Sequence, residues 1–297
     1  MNNLKDVLFT GACTALVTPF LDDHVNYPMM ERLLQRQLDA GIEAVVICGT
    51  TGEAPTLSDK EKLELFTRAK KFVGDRCKII AGTGSNSTLH TVELSKSAEQ
   101  CGADALLVVS PYYNKATPDG MIAHYIAAAQ SVEIPLILYN VPSRTGLDIP
   151  ISVYQTLAAV SNIAGVTEAC SDITKTTKIL RSCGSDLTVW SGNDDMTVPM
   201  MALGAKGIIS VVSNIAPLET QAMARAALAG DFDTAAAIQI ELQPLIELLF
   251  SEVNPIPVKK AMNLMGLNAG PLRRPLTEME ESHVPALEKA MKEFGIL

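Results

Sequence analysis

Eight short and almost continuously apolar runs, separated by segments with helical periodicity, constrain the fold of this chain more than any other feature. Strands with one solvated face alternate polar and apolar residues, whereas continuous apolar runs are typical of strands covered on both faces. Buried strands that alternate with helices favour a parallel sheet wrapped by helices. Eight such units predict an α/β protein with a closed (β/α)8 barrel. The runs are residues 12–18, 44–48, 78–82, 105–109, 135–139, 163–168, 187–190 and 207–212.

After the eighth run the pattern becomes purely helical, over residues 223–228, 234–250, 257–264 and 276–294. The 297 residues allow either one TIM barrel of about 250 residues with an appendage or two ordinary domains, and the pattern of elements favours the first. We therefore predict a barrel over residues 1–215 and a C-terminal helical region over residues 216–297 that packs on it. Ser58 and Asp172 stand where helix caps are expected.

Composition excludes several classes of function. Apolar residues make up 47% of the chain and the net charge is −9, without a cluster of basic residues, so nucleic acid is not an expected partner. No run approaches the ~20 apolar residues of a membrane span, and the amino terminus lacks a secretory signal pattern. The six cysteines are far apart and build no zinc site. We expect a cytoplasmic protein with reduced thiols, no metal and no cofactor.

Polar residues follow the predicted strands at the point where each strand ends. Active sites of such barrels lie at the carboxyl ends of the strands, so these residues form the expected rim of a site. Hydroxyl groups dominate the rim, with one arginine and no histidine; the four histidines are expected on the surface or in loops. The rim residues are Thr50, Thr51, Thr83, Ser110, Tyr112, Tyr113, Tyr139, Asn140, Arg144, Thr167, Glu168, Ser191, Gly192, Asn193, Asp194, Ser210, Ser213 and Asn214.

Tyr139 ends the fifth run, where its ring has two equally good interpretations: it fills the top layer of the barrel, or it takes part in catalysis. Thr50 and Tyr113 are expected at neighbouring strand ends, and the three hydroxyls together would pass protons to and from a reacting carbonyl. Arg144 follows on the same rim, where its planar guanidinium suits a substrate carboxylate better than a surface salt bridge.

Two other patterns have structural explanations that we favour over functional ones. Residues 82–87 begin like a nucleotide-binding glycine loop but carry serine in place of the third glycine, which favours a tight barrel loop. Glu53, Glu168 and Asp194 resemble the carboxylates of a glycosidase, but their spacing specifies no acid–base pair. We expect these carboxylates to bind loop backbone.

Several motifs resemble the dihydrodipicolinate synthase family, and the likeness runs along the whole chain, from residues 11–12 and 18–20 to residues 254–259 (Asn-Pro-Ile-Pro-Val-Lys). This family lies within the pyruvate-dependent aldolase and lyase superfamily that also holds N-acetylneuraminate lyase. The motifs are residues 49–53 (Gly-Thr-Thr-Gly-Glu), 110–114 (Ser-Pro-Tyr-Tyr-Asn), 139–146 (Tyr-Asn-Val-Pro-Ser-Arg-Thr-Gly), 191–194 (Ser-Gly-Asn-Asp) and 207–211 (Gly-Ile-Ile-Ser-Val).

The resemblance implies a lysine that forms an imine with pyruvate, giving an enamine that attacks aspartate semialdehyde on the route to lysine and diaminopimelate. Tyr139, Thr50 and Tyr113 would relay protons, and Arg144 would hold the carboxylate of the aldehyde substrate. The pyruvate pocket would be lined by Thr51, Gly192 and Ile209. Tyr113 would reach into the neighbouring subunit's site of a homotetramer.

One departure from the family pattern is severe, because Thr167 stands at the position of the imine-forming lysine. A hydroxyl cannot form an imine, so we predict that this chemistry is lost or nearly lost. No other lysine is expected to point into the barrel mouth. The lysines considered are Lys115 in a loop, Lys175 and Lys178 on the helix after the sixth strand, and Lys206 before the eighth strand.

The feedback site of lysine-sensitive family members is only partly matched. Asn86 and Tyr112 agree with that pattern, whereas Ala54 and His90 stand where such members carry serine and glutamate. The missing carboxylate removes a partner for the ammonium group of lysine. We therefore predict weak inhibition by lysine, or none.

Three functional hypotheses stay open from the sequence. The first is a dihydrodipicolinate synthase scaffold that has lost its imine lysine. The second is a non-catalytic protein that binds a 2-oxo acid as a sensor or assembly subunit. The third is an altered chemistry without a covalent intermediate, in a protein akin to the sugar-acid aldolases; the Thr50-Thr51 pair and Arg144 favour a synthase over those enzymes.

Overall fold

A computed structural model describes residues 5–297 and contains eight parallel strands closed into a barrel by the pairing of β1 with β4. The predicted (β/α)8 fold is confirmed, and the strand bounds differ from the predicted ones by at most three residues. A short antiparallel hairpin, β2 (Phe20–Leu21) with β3 (His24–Val25), follows the first strand. The barrel strands are β1 (Gly11–Ala15), β4 (Ala44–Ile47), β5 (Lys78–Gly82), β6 (Ala105–Val109), β7 (Leu136–Asn140), β8 (Ile163–Glu168), β9 (Thr188–Ser191) and β10 (Gly207–Ser210).

Two apolar layers explain why the strand runs are apolar throughout. One layer fills the barrel, where Phe9 stacks on Trp190 with ring centroids 4.8 Å apart and Trp190 Nε1 donates to the Phe9 carbonyl at 3.2 Å. The second layer lies between the strands and the surrounding helices. Side chains on both faces of each strand are therefore buried, as a parallel sheet covered by helices requires.

Helices connect the strands and continue beyond the last one. Ser58 caps α2 in a capping box with Glu61, and the Asp172 side chain caps α7, as predicted for both. The helices are α1 (Tyr27–Asp39), α2 (Asp59–Val73), α3 (Thr88–Gln100), α4 (Pro118–Ala129), α5 (Pro142–Thr145), α6 (Ile151–Leu157), α7 (Ile173–Cys183), α8 (Thr197–Ala202), α9 (Pro217–Leu228), α10 (Phe232–Leu249), α11 (Ile256–Leu264) and α12 (Val284–Phe294). No helix within residues 5–297 is long and apolar enough to cross a bilayer.

Helix α9 packs against the seam between the first and last strands of the barrel. Gln221 on this helix accepts from the Ala12 N–H at 2.8 Å and donates to the Gly41 carbonyl at 2.7 Å. The helix thus completes the outer ring, while α10 packs on α9, and α10, α11 and α12 pack on one another. The division of the chain at residue 215 stays a prediction.

The predicted helix over residues 276–294 is wrong in its first part, because α12 begins only at Val284. Pro285 lies in the first turn of α12, where its missing N–H is harmless, whereas inside a longer helix it would remove a hydrogen bond and clash with the preceding turn. The segment before it is held by Glu252, which accepts from the Glu280 N–H and from the His283 ring.

The placement of the histidines on the surface or in loops is wrong for His124. This residue lies on the buried face of α4, and its Nδ1 is 3.0 Å from the Thr88 hydroxyl. Its ring packs edge-on against Tyr125, and burial lowers the pKa of His124. The apolar residues around it on α4 carry this side chain into the layer between helices and strands.

We expect Glu61→Gln to destabilise the fold in a pH-dependent way. Arg273 donates to both Glu61 carboxylate oxygens, at 2.6 and 3.0 Å, which lowers the pKa of Glu61 to about 2. A lowered carboxyl pKa stabilises the fold above the ordinary value of 4.5, and this stability is lost as the pH falls towards 2. The variant should lose about 1–3 kcal/mol of unfolding free energy at pH 7, with a smaller loss at pH 3, measured by urea unfolding.

Glu64→Gln on the same helix is the matched control. Glu64 pairs with Arg68 four residues further along the exposed face, at 2.6 Å. Exposed pairs of this kind contribute about 0.3–0.5 kcal/mol. A loss in Glu61→Gln that stays constant from pH 7 to pH 3 would contradict the role assigned to Arg273.

Candidate active site

A cavity of about 210 Å³ opens at the carboxyl ends of the barrel strands. Seven of the eight site residues predicted from the sequence line it, and they come from five strand ends that lie far apart along the chain. The eighth, Tyr113, does not. The seven are Thr50, Thr51, Tyr139, Arg144, Thr167, Gly192 and Ile209.

Thr167 on β8 lines the cavity and pairs in register with Tyr139 on β7 and with Trp190 on β9. Alternation along the strand turns Glu168 to the opposite face, towards the helices. Thr167 is 1% exposed, and its Oγ1 has no hydrogen-bond partner among residues 5–297. The position expected for a nucleophilic amine therefore carries a buried hydroxyl with unused hydrogen-bonding capacity.

Gly192 allows the loop after β9 to approach Thr167 closely. A Cβ at this position would lie 2.8 Å from the Ala169 Cβ and 3.1 Å from Thr167 Oγ1. The Gly192 N–H donates to the Glu168 carbonyl at 2.8 Å, which fixes the loop. Any side chain here would displace the wall that carries Thr167.

Tyr139 agrees with the packing interpretation of the sequence, while its part in catalysis stays a prediction. Its ring packs against the apolar interior of the barrel, and it also lines the cavity. Burial raises the pKa of Tyr139, while the neighbouring Thr50 hydroxyl and the Arg144 guanidinium act in the opposite direction. Tyr139 therefore keeps its proton at neutral pH and is able to donate it to a bound molecule.

The loop after β4 offers hydrogen-bond donors to the cavity. Within residues 5–297, the N–H groups of Thr50 and Thr51 donate to no backbone or side-chain acceptor. Successive free N–H groups of this kind bind anions such as carboxylates. Arg144 adds a positive charge on the facing side of the cavity.

Asn254, from the C-terminal region, joins the two sides of the cavity. Its Nδ2 donates to Thr51 Oγ1 at 2.9 Å, and its carbonyl accepts from Arg144 Nη2 at 3.1 Å. Phe250 lines the cavity from the same region. The rim analysis missed both residues, because they follow no barrel strand. The only sequence signal was the family-like segment 254–259.

Tyr113 is not brought to Thr50 and Tyr139 within one chain. Its side chain is 92% exposed, and its backbone has a φ of 66°. The expectation that the Thr50, Tyr113 and Tyr139 hydroxyls lie close together is therefore wrong within a single subunit. Neighbouring Tyr112 lines a second cavity of about 380 Å³ that shares Thr50, Tyr139 and Arg144 with the first.

The three carboxylates considered in the sequence have protein partners, as the structural interpretation expected. Glu53 pairs with Lys259 at 2.7 Å. Glu168 accepts from Asn140, Tyr154 and the Cys170 N–H at 2.7–3.1 Å. Asp194 accepts from Ser210 Oγ at 2.6 Å and from two backbone N–H groups, and burial raises its pKa to about 6. None of the three lines the cavity of about 210 Å³.

The glycine loop after β5 is a tight barrel loop. A Cβ on Gly82 would lie 2.1 Å from the Cys48 carbonyl oxygen, and one on Gly84 would lie 2.4 Å from the Val109 nitrogen. The glycines thus permit close approach of neighbouring strand ends.

No lysine lines the cavity of about 210 Å³. Lys175 has a different environment, since its Nζ donates to both Asp148 carboxylate oxygens at 2.7 Å and to the Ile149 carbonyl. Across residues 5–297, no group of three His, Cys, Asp or Glu side chains is placed to hold a metal ion. The chemistry of the cavity rests on hydroxyls, backbone N–H groups and one guanidinium.

Comparison with known proteins gives a consistent result. The model of the Dihydrodipicolinate synthetase family matches residues 8–294. A 4-hydroxy-tetrahydrodipicolinate synthase of Acetivibrio thermocellus is 46% identical over 294 residues, which cover 99% of this chain and 100% of that protein.

Two solved structures are similar over almost their full length. The dihydrodipicolinate synthase of Thermotoga maritima has a TM-score of 0.96 and 39% identity, covering 98% of this chain and 100% of that one. The chloride-inhibited dihydrodipicolinate synthase of Acinetobacter baumannii, complexed with pyruvate, has a TM-score of 0.95 and 41% identity, covering 97% of this chain and 99% of that one. In sequence, fold and full length, this chain belongs to the dihydrodipicolinate synthase family of lyases.

Proposed function

We propose that this chain has the site of a synthase that condenses pyruvate with aspartate semialdehyde in lysine and diaminopimelate biosynthesis, and that Thr167 severely impairs or abolishes the reaction. The observation that carries the proposal is the single cavity that joins Thr50, Thr51, Tyr139, Arg144 and Thr167. A pyruvate complex of the Acinetobacter baumannii relative supports the choice of the first substrate.

The roles of the cavity residues follow from their chemistry. The pyruvate carboxylate would accept from the free N–H groups of Thr50 and Thr51, beside Gly192 and Ile209. Tyr139, which stays protonated at neutral pH, would exchange a proton with the reacting carbonyl through Thr50. Arg144 would bind the carboxylate of aspartate semialdehyde.

Thr167 removes the covalent step. An amine adds to a ketone and then loses water, and the resulting iminium draws electrons from the neighbouring carbon so that an enamine forms. A hydroxyl adds at most reversibly to give a hemiketal, which has no such electron sink. The methyl carbon of pyruvate would then not be activated for attack on the aldehyde.

The second candidate is a non-catalytic protein that binds a 2-oxo acid. The absence of lysine from the cavity wall and the buried, unpartnered Thr167 hydroxyl favour it. Altered chemistry akin to that of a sugar-acid aldolase is the third candidate, against which the Thr50-Thr51 pair and Arg144 argue.

We expect Thr167→Lys to restore imine chemistry. Borohydride reduction in the presence of pyruvate, followed by mass spectrometry, should give a covalent adduct with the variant and none with the parent chain. Synthase turnover should rise by about 10³-fold or more, the order expected when a missing nucleophile is supplied.

Thr167→Gln is the matched control, because glutamine is a long polar side chain like lysine but has no nucleophilic amine. A pyruvate adduct in the parent chain, or turnover equal to that of Thr167→Lys, would refute the role assigned to residue 167. Failure of Thr167→Lys to form an adduct in a folded protein would refute the proposed synthase site and favour the second candidate.

We expect lysine to bind weakly. Ala54, His90 and Tyr112 line the second cavity, and His90 Nε2 lies 3.0 Å from the Asp59 carboxylate. A histidine paired in this way offers no free carboxylate to the lysine ammonium group. Calorimetric titration should show a dissociation constant in the millimolar range or weaker, and His90→Glu should tighten it by about tenfold, the effect of one charge-assisted hydrogen bond. Tight binding by the parent chain would refute this.

We also propose a homotetramer in the cytoplasm. Tyr113 is 92% exposed and follows Tyr112, which lines the second cavity, so a second subunit is needed for its hydroxyl to reach a site as the family resemblance implies. The cysteines described are all free thiols, as a reducing compartment favours. Sedimentation equilibrium should give four times the 31.8 kDa chain mass, and a monomer at micromolar concentration would contradict the assembly.

A further inference from the structure

Lys62 differs from the other buried lysines in the partners of its ammonium group. Lys175 and Lys259 each donate to a carboxylate at 2.7 Å and to a backbone carbonyl. The Lys62 side chain is only 10% exposed, yet within residues 5–297 its Nζ has no acceptor at hydrogen-bond distance, and the Asp59 carboxylate is 3.6 Å away. Burial of a charge is costly unless the charge is paired and hydrogen-bonded. The Lys62 ammonium therefore has donors available for an anion that the chain does not supply.

Asp59 does not take this place, because it has another partner. It is the first residue of α2, and its side chain is 55% exposed. His90 Nε2 lies 3.1 and 3.0 Å from its two carboxylate oxygens. The Asp59 carboxylate is thus held on His90 near the surface, and the donors of Lys62 stay unused.

Lys62 lines the second cavity, of about 380 Å³, whose walls carry positive charge. Arg144 lines the same cavity, the hydroxyl groups of Ser85 and Tyr112 add hydrogen-bond donors, and no Asp or Glu among residues 5–297 lines it. Positive charges that line one cavity raise the local concentration of anions, because their fields add between walls of low dielectric constant. Apolar residues such as Val109 complete the walls and suit a carbon chain.

We propose that the second cavity binds small organic dicarboxylates, with one carboxylate on the Lys62 ammonium. The second negative charge is favoured by the field of Arg144. This ligand has the opposite charge at its second end from lysine, whose ammonium group finds no carboxylate at Ala54 or His90. Lys62 does not line the cavity of about 210 Å³, so the inference does not rest on the proposed function.

The test compares glutarate, valerate and 4-aminobutyrate as ligands of the full chain at neutral pH, by calorimetry or ligand-observed NMR. In each probe a carboxylate is followed by three methylene groups, and the far end is a carboxylate, a methyl group or an ammonium group. Glutarate should bind about fivefold more tightly than valerate, and 4-aminobutyrate should bind most weakly, because positive charges line the cavity.

Lys62→Gln locates the binding site. Glutarate should bind about tenfold or more weakly to this variant, the loss expected for one charge-assisted hydrogen bond. The ligand-free variant should melt at the same temperature as the parent chain or higher, since a nearly buried charge without an acceptor is removed. Lys60→Gln is the matched control, because Lys60 is an exposed residue of the same helix and the change in net charge is the same. It should alter the glutarate affinity by no more than about twofold.

The outcomes separate this inference from the proposed function. Binding of 4-aminobutyrate as tight as that of glutarate, an unchanged glutarate affinity in Lys62→Gln, or no glutarate binding up to tens of millimolar would each overturn the inference. A lower melting temperature of ligand-free Lys62→Gln would show that Lys62 serves a structural ion pair with Asp59 and would also overturn it. Pyruvate binding and the adduct of Thr167→Lys depend on the first cavity, so none of these results would affect them.

Discussion

A buried ion pair between Glu53 and Lys259 connects the barrel to the C-terminal helices, and the geometry of the cavity depends on it. Both side chains are 1% exposed and 2.7 Å apart. Lys259 also donates to the Pro271 carbonyl, and the second Glu53 oxygen accepts from the Arg273 N–H at 2.9 Å. Removal of one member of such a pair costs about 3–5 kcal/mol, because the other charge stays buried without compensation. Glu53 ends the loop that carries the two threonines of the site and has a φ of 57°, so the pair also holds a strained backbone in place.

Residues of the barrel and of the helical region therefore form the cavity together. Thr51 and Arg144 lie on separate loops of the barrel. Asn254 bonds to both and joins the two loops into one wall. Because the segment that carries Asn254 precedes the helix of Lys259, the ion pair and the bridge act on neighbouring points of the same chain. Pre-organisation of the loop that carries Thr50 and Thr51 thus comes from outside the strands on which the other cavity residues stand.

The strands and most of the cavity could be predicted because their signals are local. A run such as residues 163–168 must be apolar over most of its length to lie in a covered parallel sheet, and its carboxyl end must lie at the rim, where Thr167 lines the cavity. The positions of residues that depend on contacts distant in sequence could not be predicted in this way. His124 is drawn inward by the packing of its helix, Asn254 acts through a loop 203 residues away, and residues 276–283 leave the helical pattern under the influence of Pro285 and Glu252. Tyr113 is a different case, because the contacts that it would make in an assembly depend on a second subunit.

Residue 167 shows that fold and chemistry are separable at a single position. Threonine is β-branched and suits a central strand, and β8 keeps its register with both neighbours on either side of it. Main-chain pairing on both sides of residue 167 sets the backbone ladder, and Gly192 permits the close approach of the neighbouring loop. The penalty of one unpartnered buried hydroxyl, about 1–3 kcal/mol, is smaller than the roughly 5–15 kcal/mol by which folded domains are typically stable. The barrel therefore tolerates threonine at this position, and the scaffold of a synthase is compatible with a different use of its site.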